Sequence, residues 1–131
     1  MTKARHILVA DDEEVIRHAC TRILTRAGYE VSTAINGDDA LRKIRDGNVD
    51  LVLLDIKMPV LDGMKVLDIL AKEKPDLRVV VITGHGTAAT ASQAIRAGAR
   101  DFITKPFSPA ELRHSVQNAL AGNSNMETKP I

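Results

Sequence analysis

Leu51-Val52-Leu53-Leu54-Asp55 is a run of four aliphatic residues that ends at a carboxylate, and it is one of five short apolar runs along the chain. These runs are too short to be helices by themselves, and their Val, Ile and Leu content is typical of strands buried on both faces of a sheet. We predict five strands, at residues 7–10, 30–34, 51–54, 79–82 and 101–104, of which 30–34 is the weakest and most mixed.

Segments with helical spacing lie between the predicted strands. The first spans about 13–27 and is followed by Gly28, the second ends at Gly47, and the third begins near residue 63 and ends at Pro75. Glycine and proline at these places are common stop signals for helices. The fifth opens with Ser108-Pro-Ala-Glu111, a capping box with proline at the first helical position.

The predicted fourth helix, at about 87–97, differs from the others. Its apolar side is mostly alanine, Ala91 and Ala94, with Ile95 as the bulky member. A helix that buries so little apolar surface is weakly anchored, and we expect it to be a part that moves.

Strands and helices therefore alternate five times along a chain of 131 residues. Buried strands joined by helices predict a doubly wound α/β domain with a parallel sheet, and the size fits the five-stranded, flavodoxin-like order 2-1-3-4-5. We expect one domain over residues 5–121. Residues 122–131 have no periodicity, and we expect a disordered tail or the start of a linker.

Composition excludes several classes of function. The 18 basic and 17 acidic side chains leave a net charge of +1, and aromatic residues are 2% of the chain, so neither a basic footprint nor stacking platforms for nucleic acid are expected. The single cysteine, Cys20, excludes an internal disulfide, and no apolar run approaches a membrane span. We expect a cytoplasmic protein that binds neither nucleic acid nor membranes directly.

Polar side chains follow four of the five predicted strands. Asp11 and Asp12 follow the first strand, Asp55 the third, Thr83 the fourth and Lys105 the fifth. Because the carboxyl ends of parallel strands share one edge of a sheet, where ligands bind in open α/β folds, these side chains should meet in one crevice.

Clustered carboxylates repel each other, and a hard divalent cation such as Mg²⁺ offsets that repulsion. A cation and the ammonium of Lys105 on one carboxylate would neutralise a phosphoryl group while an aspartate attacks it, and Thr83 could donate to that group. Each residue taken alone also fits a purely structural role. Asp11 and Asp12 could cap the first helix, and the others could be turn residues or residues at the end of a strand. Their conjunction favours phosphorylation of an aspartate.

The sequence resembles a bacterial response-regulator receiver domain, the phosphoacceptor half of two-component signalling. The resemblance runs over nearly the whole chain and is carried by motifs in the family's order and spacing: Ile7-Leu-Val-Ala-Asp-Asp-Glu13, Asp55-Ile-Lys-Met-Pro-Val-Leu-Asp-Gly63, Val81-Ile-Thr-Gly84, Ala97-Gly-Ala99 and Lys105-Pro-Phe107. Ile82-Thr-Gly-His-Gly86 and the alanine-rich fourth helix look most like receivers of the nitrogen-regulation class.

The resemblance implies a role for each site residue. Asp55 would be the phosphoacceptor. Asp12 would be the more direct Mg²⁺ ligand, Asp11 would act mainly through water, and Asp55 and the backbone carbonyl of Lys57 would complete the protein's ligands. Lys105 would contact the phosphoryl group.

The resemblance also implies a switch and two tuning positions. The hydroxyl of Thr83 would move toward the phosphoryl group, and the ring of Phe102 would turn inward with it. The family often has tyrosine at the position of Phe102, so a phenolic hydrogen bond is not available here. Lys57 and His85 occupy positions thought to tune the lifetime of the phosphorylated state.

The resulting hypothesis is a signalling domain whose chemistry is limited to self-phosphorylation from a phosphodonor and autodephosphorylation. Its partners would be a histidine kinase or phosphotransfer protein and a downstream effector domain or protein. Phosphorylation would change the face formed by the fourth helix, fifth strand and fifth helix. A homodimer through the fourth and fifth helices is left open.

Three alternatives remain at this point. A Mg²⁺-dependent phosphatase with an aspartyl nucleophile would require Asp-x-Asp after the first strand and a cap domain, whereas the sequence has Asp-Asp-Glu there. A nucleotide-binding module would need glycines in that turn, which is acidic here. The third alternative is a receiver-like interaction module that is not phosphorylated.

Overall fold

A computed structural model describes residues 4–84 and 86–121 of the chain. The predicted tail at 122–131 and the predicted tuning residue His85 lie outside the described residues. Strands and helices alternate in the order β1 His6–Ala10, α1 Glu14–Arg26, β2 Glu30–Ala34, α2 Gly37–Asp46, β3 Leu51–Asp55, α3 Gly63–Glu73, β4 Arg78–Thr83, α4 Ala88–Arg96, β5 Asp101–Thr104 and α5 Pro109–Leu120.

The five strands form one parallel sheet in the order β2-β1-β3-β4-β5, which confirms the predicted topology. In the centre of the sheet, Val9 pairs in register with Leu53, and Leu54 pairs with Val81. All five residues of β3 are buried, since helices cover both of its faces. That burial explains why its sequence is an unbroken apolar run rather than an alternating one.

Two apolar cores lie on opposite faces of the sheet. On one face α2, α3 and α4 pack through Leu41, Ile44, Val66, Leu67, Leu70 and Ala94. On the other face α1 and α5 pack through Cys20, Leu24, Leu112, Val116, Ala119 and Leu120. Within the described part of the chain, no helix is both long enough and apolar enough to cross a membrane.

Several local signals act as the sequence predicts. Gly28 follows α1 with φ of 100°, a backbone conformation that glycine adopts without a steric cost. Ser108 and Glu111 form the predicted capping box at the start of α5. The prediction for α4 was wrong in one detail, because Ile95 is 47% exposed and Ala94 is the residue that α4 buries. The short side of α4 that meets the core is therefore centred on Ala94, and the bulky side chain of Ile95 lies largely outside it.

The loop after β3 is held in place by a glycine at its far end. A Cβ at Gly63 would lie 2.3 Å from the backbone oxygen of Asp55 and 2.5 Å from the Cα of Ile56. The amide of Gly63 also donates a hydrogen bond to the carbonyl oxygen of Ile56 (3.1 Å). The start of α3 therefore packs directly on the backbone of Asp55, which it can do only without a side chain at residue 63.

Replacing Gly63 with alanine is expected to lower the free energy of unfolding by at least about 2 kcal/mol, because the clashing atoms are backbone atoms that cannot rotate away. Urea unfolding followed by circular dichroism measures the change. Gly84→Ala is the matched control, because a Cβ there meets nothing within 4 Å. Equal stabilities of the two variants would contradict the close approach at Gly63.

Candidate phosphoryl-transfer and metal site

The residues predicted from the strand ends meet at the carboxyl edge of the sheet. Asp11 and Asp12 directly follow β1, and Asp55 is the last residue of the neighbouring strand β3. Thr83 ends β4, and Lys105 follows β5. The order of the strands thus brings together side chains that are up to 94 positions apart in the sequence.

Three carboxylates form a compact group. Asp11, Asp12 and Asp55 each offer an oxygen within 4.8 Å of the others. Asp11 is 0% exposed and Asp55 is 3% exposed, whereas Asp12 is open to solvent. Burial raises the pKa of Asp11 and of Asp55 above the usual value, and in both cases this outweighs the hydrogen bonds that favour the charged form. The site therefore concentrates negative charge where water solvates it poorly.

The ammonium of Lys105 lies among the carboxylates. Its Nζ is 2.9 Å from Asp11 Oδ2, 3.3 Å from Asp55 Oδ2 and 2.7 Å from Glu13 Oε1. The side chain of Lys105 is 12% exposed. Burial alone would lower the pKa of Lys105, but its contacts with the carboxylates of Glu13 and Asp11 and the charge of Asp55 raise it above the ordinary value. Lys105 is therefore a fixed positive charge.

Backbone amides orient the two buried carboxylates. The amide of Glu13 donates to Asp11 Oδ1 (2.9 Å), and the amide of Lys57 donates to Asp55 Oδ1 (3.0 Å). The guanidinium of Arg17 donates to the backbone oxygen of Asp11 (2.9 Å) and so braces the same turn. These bonds fix the Oδ1 atoms and direct the Oδ2 atoms toward Lys105 and the crevice.

The donor set fits a hard divalent cation. The buried Oδ2 atom of Asp11 accepts no well-directed hydrogen bond among the described residues, although the ammonium of Lys105 is close to it. Asp12 and Lys57 line one open groove of about 520 Å³ beside the cluster. Oxygen ligands from one or two carboxylates, with room for water, are what Mg²⁺ requires.

The predicted switch residues lie on the two strands that follow β3 in the sheet, β4 and β5. Thr83 is fully buried, and its carbonyl oxygen accepts a hydrogen bond from the amide of Lys105 (2.9 Å). The half-buried ring of Phe102 packs against the core under α4. A Cβ at Gly86 would lie 2.9 Å from Phe102 Cε1, so the loop before α4 rests on the edge of this ring.

One residue at the site was missed by sequence reasoning. The sequence places Glu13 in the acidic run after β1 without a role of its own, and in the structure its carboxylate makes the shortest contact of Lys105. The sequence does contain a hint of this contact, because Glu13 is the third consecutive acidic residue at the sheet edge where Lys105 is expected. The single cysteine, Cys20, is fully buried, and burial raises the pKa of its thiol to about 12. Its thiol is therefore unreactive at neutral pH.

Comparisons with known proteins agree with this geometry. The family model described as the response regulator receiver domain matches residues 7–117. The chain is 42% identical over 119 residues to the nitrogen assimilation regulatory protein NtrX of Azorhizobium caulinodans, covering 89% of this chain and 26% of that protein. It is 37% identical over 109 residues to the chemotaxis protein CheY of Thermotoga maritima. The match covers 82% of this chain and 91% of that protein.

The fold is also shared with solved structures. The receiver domain of NtrX from Brucella abortus matches with a TM-score of 0.85 and 45% identity over 89% of this chain and 99% of that domain. Several curated relatives are much longer than this chain, which spans 25% to 47% of their length. What those longer proteins do as a whole is therefore not a property of this chain alone.

Replacing Asp55 with asparagine is expected to stabilise the fold when no divalent cation is present. Because its pKa is raised in the folded protein, ionised Asp55 costs stability above that pKa, and the cost vanishes below the ordinary value of 3.8. We expect the Tm of Asp55→Asn in EDTA at pH 7 to exceed that of the wild type by about 3–6 °C, as for a change of ~1 kcal/mol in a domain of this size.

Differential scanning calorimetry from pH 3 to pH 8 measures the difference, which should shrink as the pH falls toward 3.8. Asp68→Asn, on the exposed side of α3, is the matched control for the loss of one charge. A lower Tm for Asp55→Asn at pH 7 would mean that the pairing with Lys105 outweighs the cost of burial.

Proposed function

The chain belongs to the response regulator receiver domain family, and on that premise we propose that Asp55 is the residue that accepts the phosphoryl group. Receiver domains are the phosphoacceptor modules of two-component signalling. The observation that supports Asp55 is its position: it is a nearly buried carboxylate, 3.3 Å from the ammonium of Lys105 and grouped with two further aspartates. This is the arrangement that phosphorylation of a carboxylate needs.

In the proposed reaction a carboxylate oxygen of Asp55 attacks phosphorus. A P–O bond forms while the bond between phosphorus and the donor's nitrogen or oxygen breaks, and the leaving group takes the electron pair and a proton from water. Lys105, whose side chain is 12% exposed, neutralises the phosphoryl oxygens. The hydrogen bond from the amide of Lys57 holds the acceptor in one orientation.

Mg²⁺ is the proposed cofactor. Asp11, Asp12 and Asp55 would hold it, with the backbone carbonyl of Lys57 as a further ligand. Asp12 is the exposed member and the more direct ligand, and Asp11 would act mainly through water. When bound, the ion neutralises the carboxylates and the incoming phosphoryl group.

The proposed output is a change in the face formed by α4, β5 and α5. Thr83 would move toward the phosphoryl group, and Phe102 would follow it, as the loop at Gly86 leaves no room for a side chain beside the ring. The limited burial of α4 supports this proposal, because Ala94 is the one residue that it buries. Lys57, exposed beside the acceptor, remains a proposed tuning position for the lifetime of the phosphorylated state.

The proposed partners are a histidine kinase or phosphotransfer protein as donor and a downstream effector domain or protein as target. The likeness to NtrX, a nitrogen assimilation regulator, supports the nitrogen-regulation class. The cytoplasm is the proposed compartment. The domain acts as a signalling module, with self-phosphorylation and autodephosphorylation as its proposed chemistry. The acidic turn after β1, in place of a glycine-rich turn, disfavours a nucleotide-binding module.

The central test is labelling of the acceptor. Wild-type protein incubated with Mg²⁺ and phosphoramidate is expected to gain one phosphoryl group by intact-mass spectrometry, and the adduct should be cleaved by hydroxylamine. Asp55→Asn should lose at least about 95% of this labelling because its amide is not a nucleophile. Asp68→Asn, on α3, should label like the wild type. Labelling that persists in Asp55→Asn would refute the assignment.

The role of Lys105 is tested separately from metal binding. Lys105→Ala is expected to keep or increase its affinity for Mg²⁺, since a competing positive charge is removed. It should fail to transmit phosphorylation to α4, as measured by amide chemical shifts of residues in α4 with Mg²⁺ and beryllofluoride. The exposed Lys72→Ala on α3 is the control. A wild-type shift pattern in Lys105→Ala would show that the lysine does not couple the site to α4.

A further inference from the structure

The ammonium of Lys105 is shared among three carboxylates, and the closest of them is not one of the proposed metal ligands. Its distances are 2.7 Å to Glu13 Oε1, 2.9 Å to Asp11 Oδ2 and 3.3 Å to Asp55 Oδ2. An ammonium has three N–H donors. Two of these donors make well-directed hydrogen bonds, to Glu13 Oε1 and Asp55 Oδ2, and the buried Oδ2 of Asp11 lies close by without one. A phosphoryl oxygen on Asp55 that binds the ammonium therefore competes with Glu13 and Asp11 for it.

The three partners differ in how readily they can be displaced. The side chain of Glu13 is 59% exposed, while those of Asp11 and Asp55 are 0% and 4% exposed. Water can hydrate the carboxylate of Glu13 once it is released, but it cannot reach that of Asp11. A buried charge without a partner is far more costly than an exposed one. Glu13 is therefore the partner that Lys105 gives up at the lowest cost.

The position of Glu13 in the chain gives a second reason to look for a role. Glu13 is the N-cap residue of α1, yet its side chain makes no capping hydrogen bond to the helix. Side chains at this position usually stabilise a helix by accepting from its first amides. The carboxylate of Glu13 also lies outside the group formed by Asp11, Asp12 and Asp55. Its contact with Lys105 is thus explained neither by the helix nor by the metal site.

We propose that Glu13 is a positioning residue that occupies Lys105 in the unphosphorylated protein and is displaced when a phosphoryl group arrives on Asp55. This rests on the proposed function and extends it. No covalent bond of Glu13 changes: one hydrogen bond of the ammonium passes from its carboxylate to a phosphoryl oxygen. Glu13 competes with the phosphoryl group for Lys105, and its strength as a competitor sets how strongly the site retains that group.

Two substitutions separate this competition from the effect of charge. Glu13→Gln removes the charge and keeps the length of the side chain. Glu13→Asp keeps the charge but is one methylene shorter, so its carboxylate no longer reaches Lys105. Glu14→Gln is the matched control, because Glu14 is the next residue, its side chain is 75% exposed, and its carboxylate lies 3.6 Å from His18.

The measurement is the dissociation constant of the phosphoryl mimic beryllofluoride at saturating Mg²⁺, followed by NMR. Both Glu13 variants are expected to bind it about threefold to fivefold more tightly than the wild type, as for the loss of one exposed ion pair. Glu14→Gln should stay within about twofold of the wild type. The affinity for Mg²⁺ alone should stay within about twofold of the wild type in Glu13→Asp, which keeps the charge, and a general loss of structure would not produce that result.

Each other outcome overturns the proposal. Tighter binding in Glu13→Gln but not in Glu13→Asp would mean that charge alone matters. Unchanged binding in both variants would show that Glu13 does not compete, and weaker binding would show that it assists. If wild-type protein binds no beryllofluoride and takes no phosphoryl group, the proposed function itself fails and this inference fails with it. Wild-type labelling at Asp55 distinguishes the two cases.

Discussion

Repulsion among the carboxylates of Asp11, Asp12 and Asp55 is the constraint on which the site depends, and the ammonium of Lys105 is the charge that opposes it. The two sides are brought together by the sheet, because the aspartates follow β1 and β3 whereas the lysine follows the edge strand β5. A shift in the register of any of these strands would separate the lysine from its partners. The order and register of the strands therefore determine where the charged side chains of the site lie.

Burial divides the acidic residues into two kinds. Asp11 and Asp55 are held by backbone amides in places that water does not reach, and they keep one geometry. Asp12 and Glu13 are exposed and can exchange partners at little cost. A site that must bind and release a charged group needs both kinds, since fixed groups define where the ligand sits and solvated groups make room for it. Any cation that binds the folded site also stabilises the fold.

Much of this could be predicted from the sequence because the deciding signals are local. The apolar runs, the glycine after α1 and the capping box of α5 each report on a few neighbouring residues, and alternation of elements then restricts the topology. The choice of partner by Lys105 could not be predicted. Its side chain is long and flexible, and three carboxylates lie within its reach. The outward direction of Ile95 was missed because α4 is short and carries alanines on more than one side.

The close approach of the loop at Gly86 to the ring of Phe102 has a consequence for how the molecule can be observed. The chain holds two phenylalanines, one tyrosine and no tryptophan. Phe107 packs with the core under α1 and α5, on the other face of the sheet from Phe102. Fluorine-labelled phenylalanine would therefore give two resonances, one from each face. Because the loop backbone lies close to the Phe102 ring, the Phe102 resonance would sense loop movement, and the Phe107 resonance would be an internal reference in the same spectrum.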